Sequence, residues 1–185
     1  MFIQTEATPN PATLKFLPGQ PVVKGAPRDF VTHEAAQKSP LAAQLFEVKG
    51  VAGVFLGGDF ITVTKAQGEW QHLKPAILGV IMEHLLSGAP VLEEEAAEAV
   101  SGEATFSPEH AGIVDTIKEL LDTRVRPAVA QDGGDITFHG FRDGVVYLNM
   151  KGSCAGCPSS TATLKHGIEN LLRHFIPEVS EVRPV

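Results

Sequence analysis

The sequence is poor in the residues that build most metal and redox sites. Its 185 residues hold two cysteines, Cys154 and Cys157, and seven histidines. The histidines show no H-x3-5-H spacing, and none lies within five residues of either cysteine. A disulfide-stapled secreted scaffold is excluded, and a one-chain zinc site is short of ligands, with His166 the only histidine kept as a weak candidate to complete it. No G-x-x-x-x-G-K phosphate loop accompanies Gly57-Gly58 or Gly133-Gly134, and no G-x-S-x-G is present, so enzymatic turnover is unsupported. No apolar run approaches the roughly 20 residues that span a bilayer, so no membrane is expected. No cluster of Lys and Arg forms a phosphate-binding face in a chain of net charge −7, so no nucleic acid is expected either. The stretch Met1-Phe2-Ile3-Gln4-Thr5-Glu6 has neither the basic start and apolar core of a signal peptide nor the acid-poor, Arg-rich character of a transit peptide. A reducing compartment is expected: a bacterial cytoplasm, with a mature mitochondrial matrix form as the alternative.

The chain reads as α+β, two small α+β domains joined by an acidic linker. In residues 1–87, seven Lys or Arg balance seven Asp or Glu. Phe2–Thr5 and Thr13–Leu17 are expected as strands around the turn-forming Thr8-Pro9-Asn10-Pro11. Ser39-Pro40 caps a helix through Leu41, Leu45 and Phe46. Val51–Leu56 and Phe60–Thr64 form a hairpin across Gly57-Gly58-Asp59, and Pro75 opens a second helix carrying Ile77, Ile81 and Leu85. Residues 88–106 hold five Glu and no Lys or Arg, which predicts a solvated linker, with a helical extension through its Ala/Glu run as the alternative.

Residues 107–185 open with Ser107-Pro108-Glu109 and a helix bearing Ile113, Ile117, Leu120 and Leu121, which Pro127 is expected to end. Asp132-Gly133-Gly134-Asp135 reads as a plain turn before the hairpin Ile136–Phe141 and Val145–Met150. The cysteine loop comes next, then a helix from near Ser160 with Leu164, Ile168, Leu171, Leu172 and Phe175, and a last edge strand, Val179–Val182. Tyr147 and Trp70 read as packing residues.

Both thiols thus sit on a loop at a helix N-terminus, where backbone N–H groups favour anions and a lowered thiol pKa. Three chemistries compete for Cys154-Ala155-Gly156-Cys157. A soft four-ligand site in one chain lacks two of its ligands. Dithiol–disulfide exchange suits the placement, but too few elements come after the motif for a thioredoxin-like fold. A two-fold axis resolves the shortage, because it juxtaposes two identical loops and makes one C-x-x-C into four thiolates.

Gln131-Asp132-Gly133-Gly134-Asp135 together with Gly152-Ser153-Cys154-Ala155-Gly156-Cys157-Pro158 resembles the C-terminal domain of the NifU-like, or Nfu, family. Met1-Phe2-Ile3-Gln4-Thr5, Thr8-Pro9-Asn10-Pro11, Leu14-Lys15-Phe16 and Gly57-Gly58-Asp59-Phe60-Ile61-Thr62-Val63-Thr64 resemble that family's N-terminal domain. The resemblance implies a non-enzymatic iron–sulfur scaffold or carrier that holds a [4Fe-4S] cluster between two chains. It implies a homodimer through the cluster, upstream assembly proteins as donors and client apo-proteins as recipients. By position Cys154 and Cys157 take the ligand role, while Asp132 and Gly133 receive none. The cysteine-free N-terminal domain is expected to dock clients.

Overall fold

Thr8 and Asn10 fold the first turn with their own side chains. Thr8 Oγ1 donates to the Thr13 carbonyl at 3.0 Å, and Asn10 Oδ1 accepts the Ala12 N–H at 3.0 Å. That turn brings β1 (Gln4–Ala7) antiparallel to β2 (Thr13–Leu17), two residues later at its start than the Phe2–Thr5 expectation. A computed structural model describes residues 1–93, 106–155 and 158–185, and it divides into two compact units, Met1–Ala99 and Val100–Val185.

The first unit is a five-stranded antiparallel sheet in the order β1-β2-β5-β4-β3. Here β3 is Arg28–Phe30, β4 Val51–Leu56 and β5 Ile61–Lys65; β3 and the one-turn helix α1 (His33–Ala36) are too short to leave a periodic signal. In α2 (Pro40–Phe46) Ser39 Oγ accepts the Ala42 N–H at 3.1 Å, the cap that Ser-Pro foretells. Helix α3 runs from Trp70 to Ser87 and buries Leu73, Ile77, Ile81 and His84. Pro75 lies inside it rather than at its start, on the exposed side, where its fixed φ suits a helix and its missing N–H deprives only a carbonyl open to water. Gly88, at φ 71°, ends the helix in the left-handed conformation. Phe16, Leu41, Leu45, Val54, Leu56, Ile61, Val63, Ile77 and Ile81 form the core between α2, α3 and one sheet face.

The chain does not leave this unit at Gly88, where the composition shifts. The His84 ring meets the Pro90 carbonyl at 3.1 Å, Ser39 Oγ donates to the Val91 carbonyl at 2.5 Å, and the Glu93 N–H donates to the Lys38 carbonyl at 3.2 Å. Val91 and Leu92, partly buried, pack on the core. The remainder of the acidic stretch, 94–105, lies outside the described residues, as does the helical alternative placed on it.

In the second unit α4 (Ala111–Leu120) comes after a short 3-10 turn and buries Val114, Ile117 and Leu120. Pro127 does not end the helical path. A π turn over Leu121–Val125 lets the Arg126 N–H reach the Leu121 carbonyl, five residues back, and α5 (Arg126–Gln131) continues with Pro127 in its first turn. The wider turn relieves the clash of the proline ring with the preceding turn, while the bond that proline cannot donate stays unmade.

Strands β6 (Gly134–Arg142) and β7 (Val145–Gly152) form a long antiparallel hairpin. Its two-residue turn has Asp143 at φ 52° and Gly144 at φ 79°, both left-handed, as a tight hairpin turn of this hand requires. Helix α6 (Pro158–Phe175) begins two residues before the expected Ser160, and β8 (Glu181–Pro184), a little later than foreseen, pairs parallel to β7 at the sheet edge. The core joins Ile117 and Leu121 to Ile136, Val146, Leu148, Ile168, Leu172 and Val182. Phe175, expected on the buried face of α6, is exposed instead, with the Arg124 guanidinium 5.8 Å from its ring. No helix among the described residues is long and apolar enough to cross a membrane.

Candidate functional site

Strand β7 ends at Gly152, whose φ of 67° turns the chain out of the hairpin and delivers Ser153 and Cys154 beneath the start of β6. Cys154 is 5% exposed and belongs to the core of the second unit. The loop expected from the sequence therefore carries a buried thiol at this position. Cys157 and Gly156 lie outside the described residues, so the placement here is of one half of the C-x-x-C. Thr161 Oγ1 donates to the Cys154 carbonyl at 3.1 Å and ties the cysteine turn to the start of α6.

Asp132 and Gly133 form the expected turn, Gly134 and Asp135 already belong to β6, and the cysteine turn is hydrogen-bonded to this stretch. The Ser153 N–H donates to the Gly133 carbonyl at 3.3 Å, and Ser153 Oγ, itself buried, makes a short hydrogen bond to the Asp132 carbonyl. Gly133 takes φ 80°, a conformation glycine adopts without strain. Gly134 pairs with Gly152 across the hairpin, and a β-carbon placed on it would stand 2.7 Å from Cys154 Sγ and 2.7 Å from the Lys151 carbonyl oxygen. Sulfur occupies the space that the missing side chain leaves.

Asp135, next along β6, is 5% exposed and is gripped by Arg126. Nε donates to Oδ1 at 2.8 Å and Nη2 to Oδ2 at 3.0 Å, while Nη1 reaches Asp122 at 3.0 Å. These carboxylates hold the guanidinium even more firmly ionised than usual. The sequence places Gly134 and Asp135 only in a turn and gives neither Arg126 nor Ser153 a role in the site. A signal was available in Arg126-Pro127, a proline inside an apolar helical repeat, but not in the turn residues, whose pairing spans the hairpin.

Burial pushes the Cys154 thiol up to about 11; a hydrogen bond with Ser153 opposes this, and the charges of Asp132 and Asp135 reinforce it. The lowering expected from a helix N-terminus is outweighed by the loss of water. Since the folded state binds this proton more tightly than the unfolded chain, its contribution is whole below about 9 and is lost as pH rises to about 11. The cluster-free protein should therefore lose about 2 kcal/mol across that interval, read as a falling urea midpoint. Cys154→Ala should flatten the slope, and an unchanged slope in that variant would assign the loss to other groups. Among the described residues no group of three or more His, Cys, Asp or Glu could hold a metal ion, and His166 is exposed.

Residues 3–88 match the family described as scaffold protein Nfu/NifU N terminal, and residues 117–183 match the NifU-like domain. The chain is 54% identical over 187 residues to the Homo sapiens protein named NFU1 iron-sulfur cluster scaffold homolog, mitochondrial, covering all of this chain and 72% of that one. It is 51% identical over 187 residues to the Drosophila virilis protein of the same name, of which it spans 62%. A solution structure of a NifU-like protein from Saccharomyces cerevisiae is similar over 51% of this chain and 86% of its own, at 27% identity and a TM-score of 0.46.

Proposed function

The chain belongs to the NifU-like Nfu family, and from that premise we propose that it is a non-enzymatic iron–sulfur cluster scaffold that binds a [4Fe-4S] cluster between two protomers and passes it to apo-proteins. The observation that carries the reading is the ligand shortage. The chain has two cysteines, and the described residues offer no other metal-binding group to complete a four-ligand site. Cys154 and Cys157 of each chain are the ligands in this reading, and a homodimer is its consequence. Two soft thiolates per chain suit iron–sulfur clusters, and the backbone N–H groups at the start of α6 favour the negative charge of a thiolate-ligated cubane. A cluster shared by two chains is released when they part, which suits delivery. The first unit, which holds no cysteine, docks client proteins, and upstream assembly proteins load the site. The relatives' names, both mitochondrial, support the mitochondrial matrix as the compartment; a bacterial cytoplasm supplies the same reducing conditions.

Thiol–disulfide exchange from the same pair is the weaker reading. Only α6 and β8 come after the motif, too few elements for a thioredoxin-like fold. Zinc in one chain is short of ligands among the described residues.

The deciding measurement is anaerobic incubation with ferrous iron and sulfide, then iron and sulfide analysis and size-exclusion chromatography. The expected product is brown, carries about four irons and four sulfides per two chains and elutes as a dimer, while cluster-free protein elutes later, as monomer. A colourless monomer that reduces disulfides would overturn the proposal. Two irons per dimer would replace the cubane by a bridging [2Fe-2S] form.

A further inference from the structure

A cluster ligand must be held in register with its partners, and the support of Cys154 leads back to one side chain. Among the described residues of the cysteine turn, the Ala155 N–H donates to the Gly152 carbonyl at 3.1 Å, and Thr161 holds the Cys154 carbonyl. Residues 132–134 also hold it, through the two bonds from Ser153 and the contact of Cys154 Sγ with Gly134. Residues 132–134 are in turn the closing turn of a loop whose ends are α5 and β6. Arg126 opens α5 and Asp135 enters β6, so their paired hydrogen bonds at 2.8 and 3.0 Å span that loop directly.

Taking Cys154 in its proposed role as a cluster ligand, we propose that Arg126 is a positioning residue that fixes the Asp132–Gly134 turn and through it that ligand. Arg126 is aimed by the π turn ahead of Pro127 and locked in a two-point grip on Asp135. The fork geometry matters. Two parallel N–H donors fix the plane of the carboxylate as a single ammonium cannot, so lysine restores the charge without restoring the register. The π turn matters for the same reason, because the wide turn resets the helix phase at Arg126. Asp122 holds the outer face of the guanidinium, which keeps the fork from swinging into water.

The test is amide hydrogen exchange, monitored by NMR, on the full cluster-free chain. In Arg126→Gln, exchange at Ser153 and Ala155 should rise about tenfold or more relative to Val146 and Leu148 of β7, the factor expected for losing charge-assisted hydrogen bonds. Arg126→Lys should fall between wild type and Arg126→Gln. Asp135→Asn, which keeps the shape and removes the charge, should reproduce the effect and carries the test if Arg126→Gln fails to fold. The double variant should exchange no faster than the faster single one. Unchanged exchange at Ser153 and Ala155, or an equal rise along all of β6 and β7, would overturn the proposal, the second because it describes general support. In loaded protein the visible circular dichroism bands should change in Arg126→Gln more than in Arg126→Lys. Failure of wild-type protein to take up a cluster would defeat the scaffold reading while leaving the exchange comparison intact.

Discussion

Cys154→Ser and Cys157→Ser should each leave the protein colourless after anaerobic incubation with iron and sulfide, and monomeric where wild type becomes a dimer. The expected loss is complete rather than partial. With two cysteines per chain, each substitution removes half of the soft ligands on both sides of the axis, and a serine hydroxyl is a hard and poorly ionised substitute. The cost to folding separates the two positions only where the structure describes them. Cys154 is packed in the core of the second unit, and burying a hydroxyl in its place should cost about 1–3 kcal/mol. Cys154→Ala is the appropriate control, since it introduces no polar atom. A urea melt beside the iron analysis distinguishes loss of ligand from loss of fold. Wild-type iron content with either serine would overturn the ligand assignment.

The fold was legible where one residue's chemistry acts on its own neighbours. Ser39-Pro40 capped a helix and Asp143-Gly144 turned a hairpin, because each needs only local geometry. The prolines misled for a physical reason. Pro75 and Pro127 each remove one N–H, and whether that ends a helix depends on the adjoining turn: Pro75 leaves a solvent-facing carbonyl, while a π turn absorbs Pro127. Residues 88–93 read as linker because charge dominates residues 88–106 in composition, whereas Val91 and Leu92 pack on the core of the first unit. The candidate site was half legible. A C-x-x-C is plain in the sequence, but the depth of Cys154 does not follow from spacing, since it depends on Gly134 across the hairpin. Arg126 and Asp135 stand nine positions apart, outside any helical or strand repeat, so their pairing is a product of the fold.

Gly134→Ala should damage the second unit with a single methyl group. Gly134 is not in the left-handed region that requires glycine at Gly133, so the objection to a side chain is one of space alone. The new carbon would meet Cys154 Sγ at 2.7 Å, the Lys151 carbonyl oxygen at 2.7 Å and the Cys154 nitrogen at 3.2 Å. Two of these three atoms are backbone, which a rotamer change cannot move, and the third is the proposed ligand. Overpacking of this kind costs about 1–3 kcal/mol, which for a unit of this size lowers the melting temperature by roughly 5–20 °C. The direction of relief matters more than the cost. Ser153 and Cys154 lie beyond the last paired residue, so the cysteine turn yields at the sulfur contact, while the Lys151 carbonyl, inside the ladder, is relieved only by a shift of the hairpin end itself. Gly134→Ala should therefore lose cluster faster than its stability loss alone explains, measured as the decay of visible absorbance at a temperature where both proteins remain folded. Equal decay in the variant and the wild type would show that the turn has other room to adjust and that the glycine serves only the packing of the hairpin.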